Sequence, residues 1–335
     1  MIKIIKISVA FALILMFSFM GWFLWRYQFQ SIRPSREVSY EISAGQSAES
    51  IARNLQEKGI IKDRFSFLLG YRLFYSGQSL KAGEYLFRFP LTGRDVLKKI
   101  IAGDVRLHSI TIPEGLTRYE TADILENLNF LNRQDLLEAS ENIRLISDWD
   151  PEATDLEGYL FPETYNVPKK ITPSKMIETM VNQFKHVFNQ EWHLRRKKFN
   201  MTVREVVTLA SLIEKETSLP EEKPLVSAVF HNRLRRGMNL ACDPTIIYAL
   251  KTRNEFYSTL TKTNLKLDSP YNTYLYPGLP PGPIASPGKS SLHAALYPAD
   301  VNYLYFVSRN DGSHKFSETY REHVNAVNKY QRRIP

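Results

Sequence analysis

Hydrophobic and polar positions fall into three patterns along this chain. From Ile7 to Trp25 there is no charged residue (ISVAFALILMFSFMGWFLW), a run long enough to cross a bilayer as one helix. Trp22 and Trp25 stand near its end, where interfacial aromatics belong. After a polar linker the pattern becomes strand, glycine turn and helix. Tyr40–Ile61 (YEISAGQSAESIARNLQEKGII) predicts a strand to Gly45, a helix capped by Ser47 and running to about Lys58, and a stop at Gly59. Ile110–Phe130 echoes it weakly: Ile42, Gly45, Ser47, Ala52 and Leu55 recur as Ile112, Gly115, Thr117, Ala122 and Leu125. Between the two, the spacing predicts a helix over Phe65–Tyr75, a strand over Gly83–Phe89 and an amphipathic helix over Thr92–Ala102.

The third pattern is mostly helical. Asn132–Pro151 reads as a helical connector and Ser174–Phe199 as one long amphipathic helix. Thr202–Thr217 (TVREVVTLASLIEKET) is a buried helix whose start is marked by a capping box, Thr202 with Glu205. Pro220 breaks the chain before a helix over Glu221–Arg235. Leu240–Leu250 opens another, with Asp243 a natural N-cap and Pro244 at the first helical position. SLHAAL (Ser291–Leu296) is a short helix, Asn302–Arg309 (NYLYFVSR) a strand, and Gly312–Gln331 a turn and a terminal helix. The fold class expected is therefore α+β. It comprises one N-terminal transmembrane helix, a small α+β module and a larger mixed α+β domain. The divisions expected are a tail at 1–6, the membrane segment at 7–25, a linker at 26–38, the module or modules at 39–130, a connector at 131–152 and the large domain at 153–335.

Within Thr202–Thr217, helical periodicity puts Val206, Leu209, Ala210 and Ile213 on one face. Glu216 falls on that same apolar side, Glu214 at its edge, and Lys215 away from it. A carboxyl group in an apolar sector has a raised pKa and can donate a proton near neutral pH. Structural ion pairs occupy such places too, and the helix alone favours a pairing of Glu216 with some Arg or Lys.

Composition narrows the classes. The 335 residues are 43% hydrophobic and 24% charged, enough for about two soluble domains beyond the membrane run. The net charge of +9 favours anionic partners, lipid or polymer. Basic residues are scattered apart from Arg195–Lys198, a run that reads as a solvated helix end rather than a nucleic-acid surface. A single cysteine, Cys242, allows no intrachain disulfide and no thiolate zinc site. The seven histidines have no metalloprotease spacing, so no metal and no cofactor are expected. No small-residue cleavage motif follows the apolar run, which therefore reads as an uncleaved signal anchor. Lys3 and Lys6 before it and Arg26, Arg33 and Arg36 after it leave orientation undecided by charge. A short cytoplasmic tail with the bulk of the chain exported is the simpler topology.

Two further stretches carry candidate chemistry. Asp155–Pro168 (DLEGYLFPETYNVP) mixes aromatics with Glu157 and Glu163, a composition suited to a carbohydrate cleft or to a turn packed on a core. Ser269–Gly288 (SPYNTYLYPGLPPGPIASPG) combines proline, glycine and tyrosine. It reads as an ordered loop lining a groove with Tyr271, Tyr274 and Tyr276. Asn232 and Arg233, inside VFHNRL, are plausible partners for a buried carboxylate or for substrate.

Together these segments resemble the YceG-like family of endolytic murein transglycosylases. The matching motifs are EGYLFPETY, LASLIEKET, VFHNRL, DPTIIYAL, SPYNTYLYPGLPPGPIASPG and YLYFVSRNDGSHKFSET, in the family's order, behind an N-terminal anchor. The resemblance implies a LysM-like module, in keeping with the strand–glycine–helix opening of the first unit, and a C-terminal catalytic domain. It implies cleavage of peptidoglycan strands between N-acetylmuramic acid and N-acetylglucosamine, with Glu216, the second acid of IEKET, as the catalytic group. Glu163, Tyr165, Ser211, Glu214, Asn232, Arg233, Asp243, Thr245, Tyr271, Asn272, Tyr274 and Pro281 stand as supporting or substrate-binding positions. Cys242 stands where Ser or Thr is usual, and Glu163 where Asp is frequent. Penicillin-binding synthases are implied as partners, and the inner membrane, with the catalytic domain outside it, as the location.

The expected mechanism needs one carboxyl group. Glu216 protonates the glycosidic oxygen, then accepts the proton of the muramic C6 hydroxyl as that oxygen attacks C1. This gives a 1,6-anhydro end without water. The competing readings are a peptidoglycan-binding scaffold that cuts nothing and a muramidase that uses water.

Overall fold

A computed structural model describes residues 2–31, 37–256 and 258–332. The expected linker falls partly on 32–36, outside the described residues. Contacts divide the chain into two units. The smaller holds Met1–Ser109 with Asn166–Lys170, and the larger holds Ile110–Tyr165 with Ile171–Pro335.

The smaller unit begins with the apolar helix α1 (Ile2–Leu24), continued by a π turn over Trp25–Phe29. The stretch Ile5–Gln28 has a mean hydropathy of 2.2 and is long and apolar enough to cross a membrane. Then come β1 (Val38–Ile42), α2 (Ala48–Glu57), α3 (Arg64–Phe74), β2 (Gly83–Phe87) and α4 (Gly93–Ala102). β1 and β2 pair antiparallel, Val38 opposite Phe87 and Ile42 opposite Gly83. Strand alternation sends Tyr40, Ile42, Tyr85 and Phe87 inward, where they meet Ile51, Leu55, Val96 and Ile100. The helices start where short polar side chains can satisfy free amides. Ser47 and Asp63 accept from the N–H three residues on, and Thr92 forms a capping box with Asp95.

The boundary between the units falls within β3 (Leu107–Thr111) and β4 (Thr164–Pro168), which pair with each other. The larger unit continues with α5 (Arg118–Asn127), α6 (Arg133–Ala139), α7 (Pro173–Val187), α8 (Gln190–Lys197), α9 (Val203–Glu216), α10 (Lys223–Arg235), α11 (Asp243–Thr252) and α12 (Lys289–Leu296). It closes with β5 (Tyr305–Ser308), β6 (His314–Ser317) and α13 (Tyr320–Val327). α9 is its centre and packs against α8, α10, α11 and α12. The helix is buried on more than the expected face, because Val207, Thr208, Ser211 and Leu212 are covered as well as Val206, Leu209, Ala210 and Ile213. Each fully buried aliphatic side chain contributes ~1.5–3 kcal/mol.

The two strand–turn–helix units do share their build. Gly45 and Gly115 both turn the chain with φ near +80°, at +79° and +77°, and Ser47 and Thr117 both cap. The second belongs to the larger unit. Three elements differ from the sequence pattern. The long helix after Ser174 is two helices, because Asn189 accepts from the Trp192 N–H and starts α8 afresh. The connector 132–151 is one short helix, α6, followed by a 3-10 turn. The strand in Asn302–Arg309 is only four residues, and it pairs with an unexpected one: β5 and β6 form an antiparallel hairpin, Tyr305 opposite Ser317 and Ser308 opposite His314.

Candidate active site

α9 stops at Glu216. Thr217 is already extended (φ −143°, ψ 137°), and Pro220 prevents the helix from resuming. The chain turns and re-enters as α10 behind Glu222. Glu222 stands at the N-cap but gives its carboxylate to other groups: Thr217 Oγ1 donates to Oε2 at 3.3 Å, His314 N–H donates to Oε1 at 2.8 Å, and His314 Nδ1 lies 2.6 Å from Oε2. The β5–β6 hairpin is thereby tied to the end of the central helix.

α11 starts one residue earlier than expected. Cys242 is the N-cap and makes no side-chain cap bond, while Asp243 is the first helical residue and Pro244 the second. Asp243 is thus released from capping, and its Oδ1 accepts the Tyr274 hydroxyl at 2.6 Å. The Cys242 backbone is held by the proline-rich loop. Its N–H donates to Thr273 Oγ1 at 3.0 Å, its carbonyl accepts Thr245 Oγ1 at 2.7 Å, and the two threonine hydroxyls are 3.1 Å apart.

These elements converge on the Glu216 carboxyl. Burial pushes its pKa up, Asp243 adds to the rise, and the Cys242 thiol hydrogen bond, His314 and Arg233 oppose it; the balance is about 6. The residue as a whole is half-buried, while its carboxyl group is desolvated. Burial also raises the Cys242 thiol well above its ordinary range, with Glu216 contributing, so the sulfur is a neutral donor. Arg233 spends its donors on carbonyls, Nε to Leu304 at 2.7 Å and Nη1 to Leu240 at 2.6 Å, and lies over the Tyr305 ring at 5.5 Å. Its charge acts on Glu216, and among the described residues no acid forms an ion pair with it. A carboxyl group protonated in part near neutrality, beside a fixed cation and a neutral donor, can give up a proton and be stabilised once ionised.

Four of the positions singled out from the sequence thus meet: Glu216, Arg233, Asp243 and Tyr274. Two more, Cys242 and His314, join them. Cys242 is visible in the sequence only as a departure from a motif, and His314 only as a letter within GSHKF. Thr245 supports the group through the Cys242 carbonyl.

The other positions have different partners. Ser211 Oγ donates to the Thr208 carbonyl at 2.7 Å and accepts the Ile284 N–H at 3.1 Å, fastening the proline-rich loop to α9. Gly158 reinforces that junction: φ is +83°, and a Cβ there would meet Pro283 Cβ at 2.5 Å. Asn232 Nδ2 donates to the carbonyls of Val301 and Tyr303, and Asn272 Nδ2 to those of Leu265 and Leu267. Tyr165 donates to the Phe161 carbonyl. The Pro281 carbonyl accepts Arg204 Nε, whose guanidinium also pairs with buried Asp150 at 2.7 Å. Glu214 pairs with buried Lys223 at 3.1 Å and accepts the Gly288 N–H. Glu163 is exposed. Tyr271 packs on Tyr248 at 5.0 Å, next to Glu157. Glu157 is a second buried carboxyl, raised to about 8 by desolvation and Asp155 while accepting the Arg118 N–H. Among the described residues no group of three or more His, Cys, Asp or Glu is placed to hold a metal ion.

The family model described as the YceG-like family matches residues 40–329. The chain belongs to the YceG-like family. It is 31% identical over 310 residues to an endolytic murein transglycosylase of Bacillus subtilis, covering 88% of this chain and 84% of that one. It is 29% identical to the protein of the same name from Streptococcus pneumoniae, of whose length it spans 58%. A crystal structure of a YceG-like protein from Listeria monocytogenes, 32% identical, superposes with a TM-score of 0.60 over 87% of this chain and 99% of that one. All the site residues above lie within the family match.

Proposed function

We propose that this chain is a membrane-anchored endolytic murein transglycosylase, a lyase that cuts peptidoglycan strands between N-acetylmuramic acid and N-acetylglucosamine. The observation that carries the reading is the Glu216 carboxyl, held at about 6 at the end of a buried helix inside the family match. The family relatives' names support the substrate.

In the reaction, protonated Glu216 gives its proton to the glycosidic oxygen as the C1–O4 bond breaks. Positive charge develops at C1 and on the ring oxygen of the muramic residue. Its own C6 hydroxyl attacks C1, and the carboxylate just formed takes that hydroxyl's proton. The acid is restored and a 1,6-anhydro end is left. Because the attacking oxygen is tethered to the carbon it attacks, part of the entropic barrier is already met. Arg233 stabilises the ionised intermediate form of Glu216, and Asp243 limits how far, so one group can act first as acid and then as base. The Tyr274–Asp243 pair and the loop behind it form a wall against which the glycan is positioned.

The apolar helix α1 anchors the enzyme as a single span, with a short cytoplasmic tail and the chain after α1 outside. That placement suits action on nascent strands beside penicillin-binding synthases, ending their elongation. Mass analysis of products from purified sacculi tests the reaction. Anhydro ends support it, ends heavier by one water indicate a muramidase, and absence of cleavage indicates a binding scaffold.

A further inference from the structure

Beyond α1, the exposed large apolar side chains of the small unit are concentrated on α3, and that helix lies against α1. α3 crosses the last turns of α1. The Phe65 ring meets Phe19 edge-on at 6.4 Å, while Phe74 stacks on Phe23 at 6.5 Å and on Tyr27 at 5.7 Å. Gly70 permits the approach, since a side chain there would collide with the Tyr27 ring. Phe23 and Tyr27 are buried, and they belong to the core of the small unit.

One face of α3, with Phe67 and Gly70, is buried, and Leu69 is partly buried against the core; Phe65, Leu73 and Phe74 stay exposed. Phe65, Leu69 and Leu73 are spaced i, i+4, i+8, so they form one stripe. Phe65 is 52% exposed, Leu73 55% and the adjoining Phe74 53%. A soluble domain rarely leaves such a contiguous apolar strip open without an occupant.

The position of α1 identifies the occupant. Phe19 lies six residues, about 9 Å of helix, before Trp25. Four basic residues, Arg26, Lys62, Arg64 and Arg72, stand around the strip with two acids, Asp63 and Glu49, the latter 3.4 Å from Arg72. Arg26 lies over the Trp22 ring at 5.6 Å and 3.9 Å from Asp63. If Phe19 lies among lipid tails, a ring packed on it lies at their boundary. An apolar stripe rimmed mostly by cations is the pattern of a helix lying in the interface of an anionic bilayer.

We infer that α3 is a second membrane contact, seated in the headgroup boundary beside α1 by Phe65, Leu69, Leu73 and Phe74. The occupant is anionic lipid. The small unit is then fixed to the membrane surface in one orientation, rather than tethered to it by a free linker. This rests on the reading of α1 as the membrane span.

Site-directed spin labelling of the full chain in nanodiscs containing anionic lipid tests it. Labels are placed at Leu73→Cys, at Phe17→Cys as the lipid reference and at Glu57→Cys as the solvent reference, with the unsubstituted chain as the blank for buried Cys242. All three substituted side chains are exposed, so the fold is preserved. The expected result is that the Leu73 label loses accessibility to a water-soluble nickel chelate and gains it to oxygen, matching Phe17. Chelate accessibility at Leu73 equal to that at Glu57, with Phe17 still lipid-like, would overturn the inference and leave the anchor standing. Chelate access at both Leu73 and Phe17 would overturn the anchor as well.

Discussion

The Tyr274 hydroxyl donates to Asp243 Oδ1 at 2.6 Å, and this pair joins the proline-rich loop to the first turn of α11 beside Glu216. Burial and this hydrogen bond both raise the Tyr274 phenol, which remains a donor. Asp243 accordingly presents a negative charge to Glu216 and contributes to its raised pKa.

Asp243→Asn keeps an oxygen for Tyr274 and removes the charge. The Glu216 pKa then falls, because its ionised form is no longer opposed, and a smaller fraction is protonated at neutral pH. The alkaline limb of the activity profile should move to lower pH, with activity on that limb falling about tenfold for every pH unit it moves. A pH–rate profile of variant and parent checks this; an unmoved limb would remove Asp243 from the account.

Cys242 acts in the opposite direction. Its thiol bond favours ionised Glu216. Cys242→Ala should raise the Glu216 pKa and carry the alkaline limb to higher pH. Cys242→Ser, which retains a donor, should leave the enzyme active with the limb at or below its parent position. The same profiles read both variants.

Glu157 makes a prediction about stability. Its folded pKa of about 8 lies above the ordinary carboxylate value, so the unfolded chain ionises first as pH rises. The penalty is absent below about pH 4.5 and grows through pH 8, on the order of a few kcal/mol. Glu157→Gln keeps an acceptor for the Arg118 N–H and should flatten that slope. Thermal unfolding should show the variant equal to the parent at pH 4 and more stable at pH 8.

Ser211 is the pin between α9 and the proline-rich loop. Ser211→Ala leaves the buried Ile284 N–H without its acceptor, a loss of ~1–3 kcal/mol. Denaturant unfolding measures the loss, and activity should fall with it, because Thr273 and Tyr274 belong to the same loop.

What the sequence makes legible here is mostly local. The capping box of Thr202 and Glu205, the cap at Ser47 and the periodicity of α9 depend on residues within one or two turns, and the structure reproduces them. The family motifs match the YceG-like membership. Other features depend on contacts formed only on folding. Asn189 divides a continuous amphipathic pattern because its side chain captures an amide. Cys242 displaces Asp243 as the N-cap because Thr273, far along the chain, holds its N–H. β6 is four residues long and has no hydrophobic run to betray it, so His314 carries no signal in the sequence. Its bond to Glu222 spans 92 residues of sequence. The positive face of the site is likewise nonlocal, since Arg233 is oriented by the carbonyls of Leu240 and Leu304.

In the proposed reaction one carboxyl group, Glu216, carries both proton transfers. Glu216→Gln keeps the shape and removes the proton, and positioned proton transfer is worth ~10²–10⁴-fold. The most direct measurement is the yield of 1,6-anhydro-muramic ends from purified sacculi, by mass spectrometry, for the parent and Glu216→Gln, with circular dichroism confirming that both are folded. Anhydro ends are expected from the parent and at least about a hundredfold fewer from the variant. Anhydro ends formed by folded Glu216→Gln at the parent's rate would contradict that reaction.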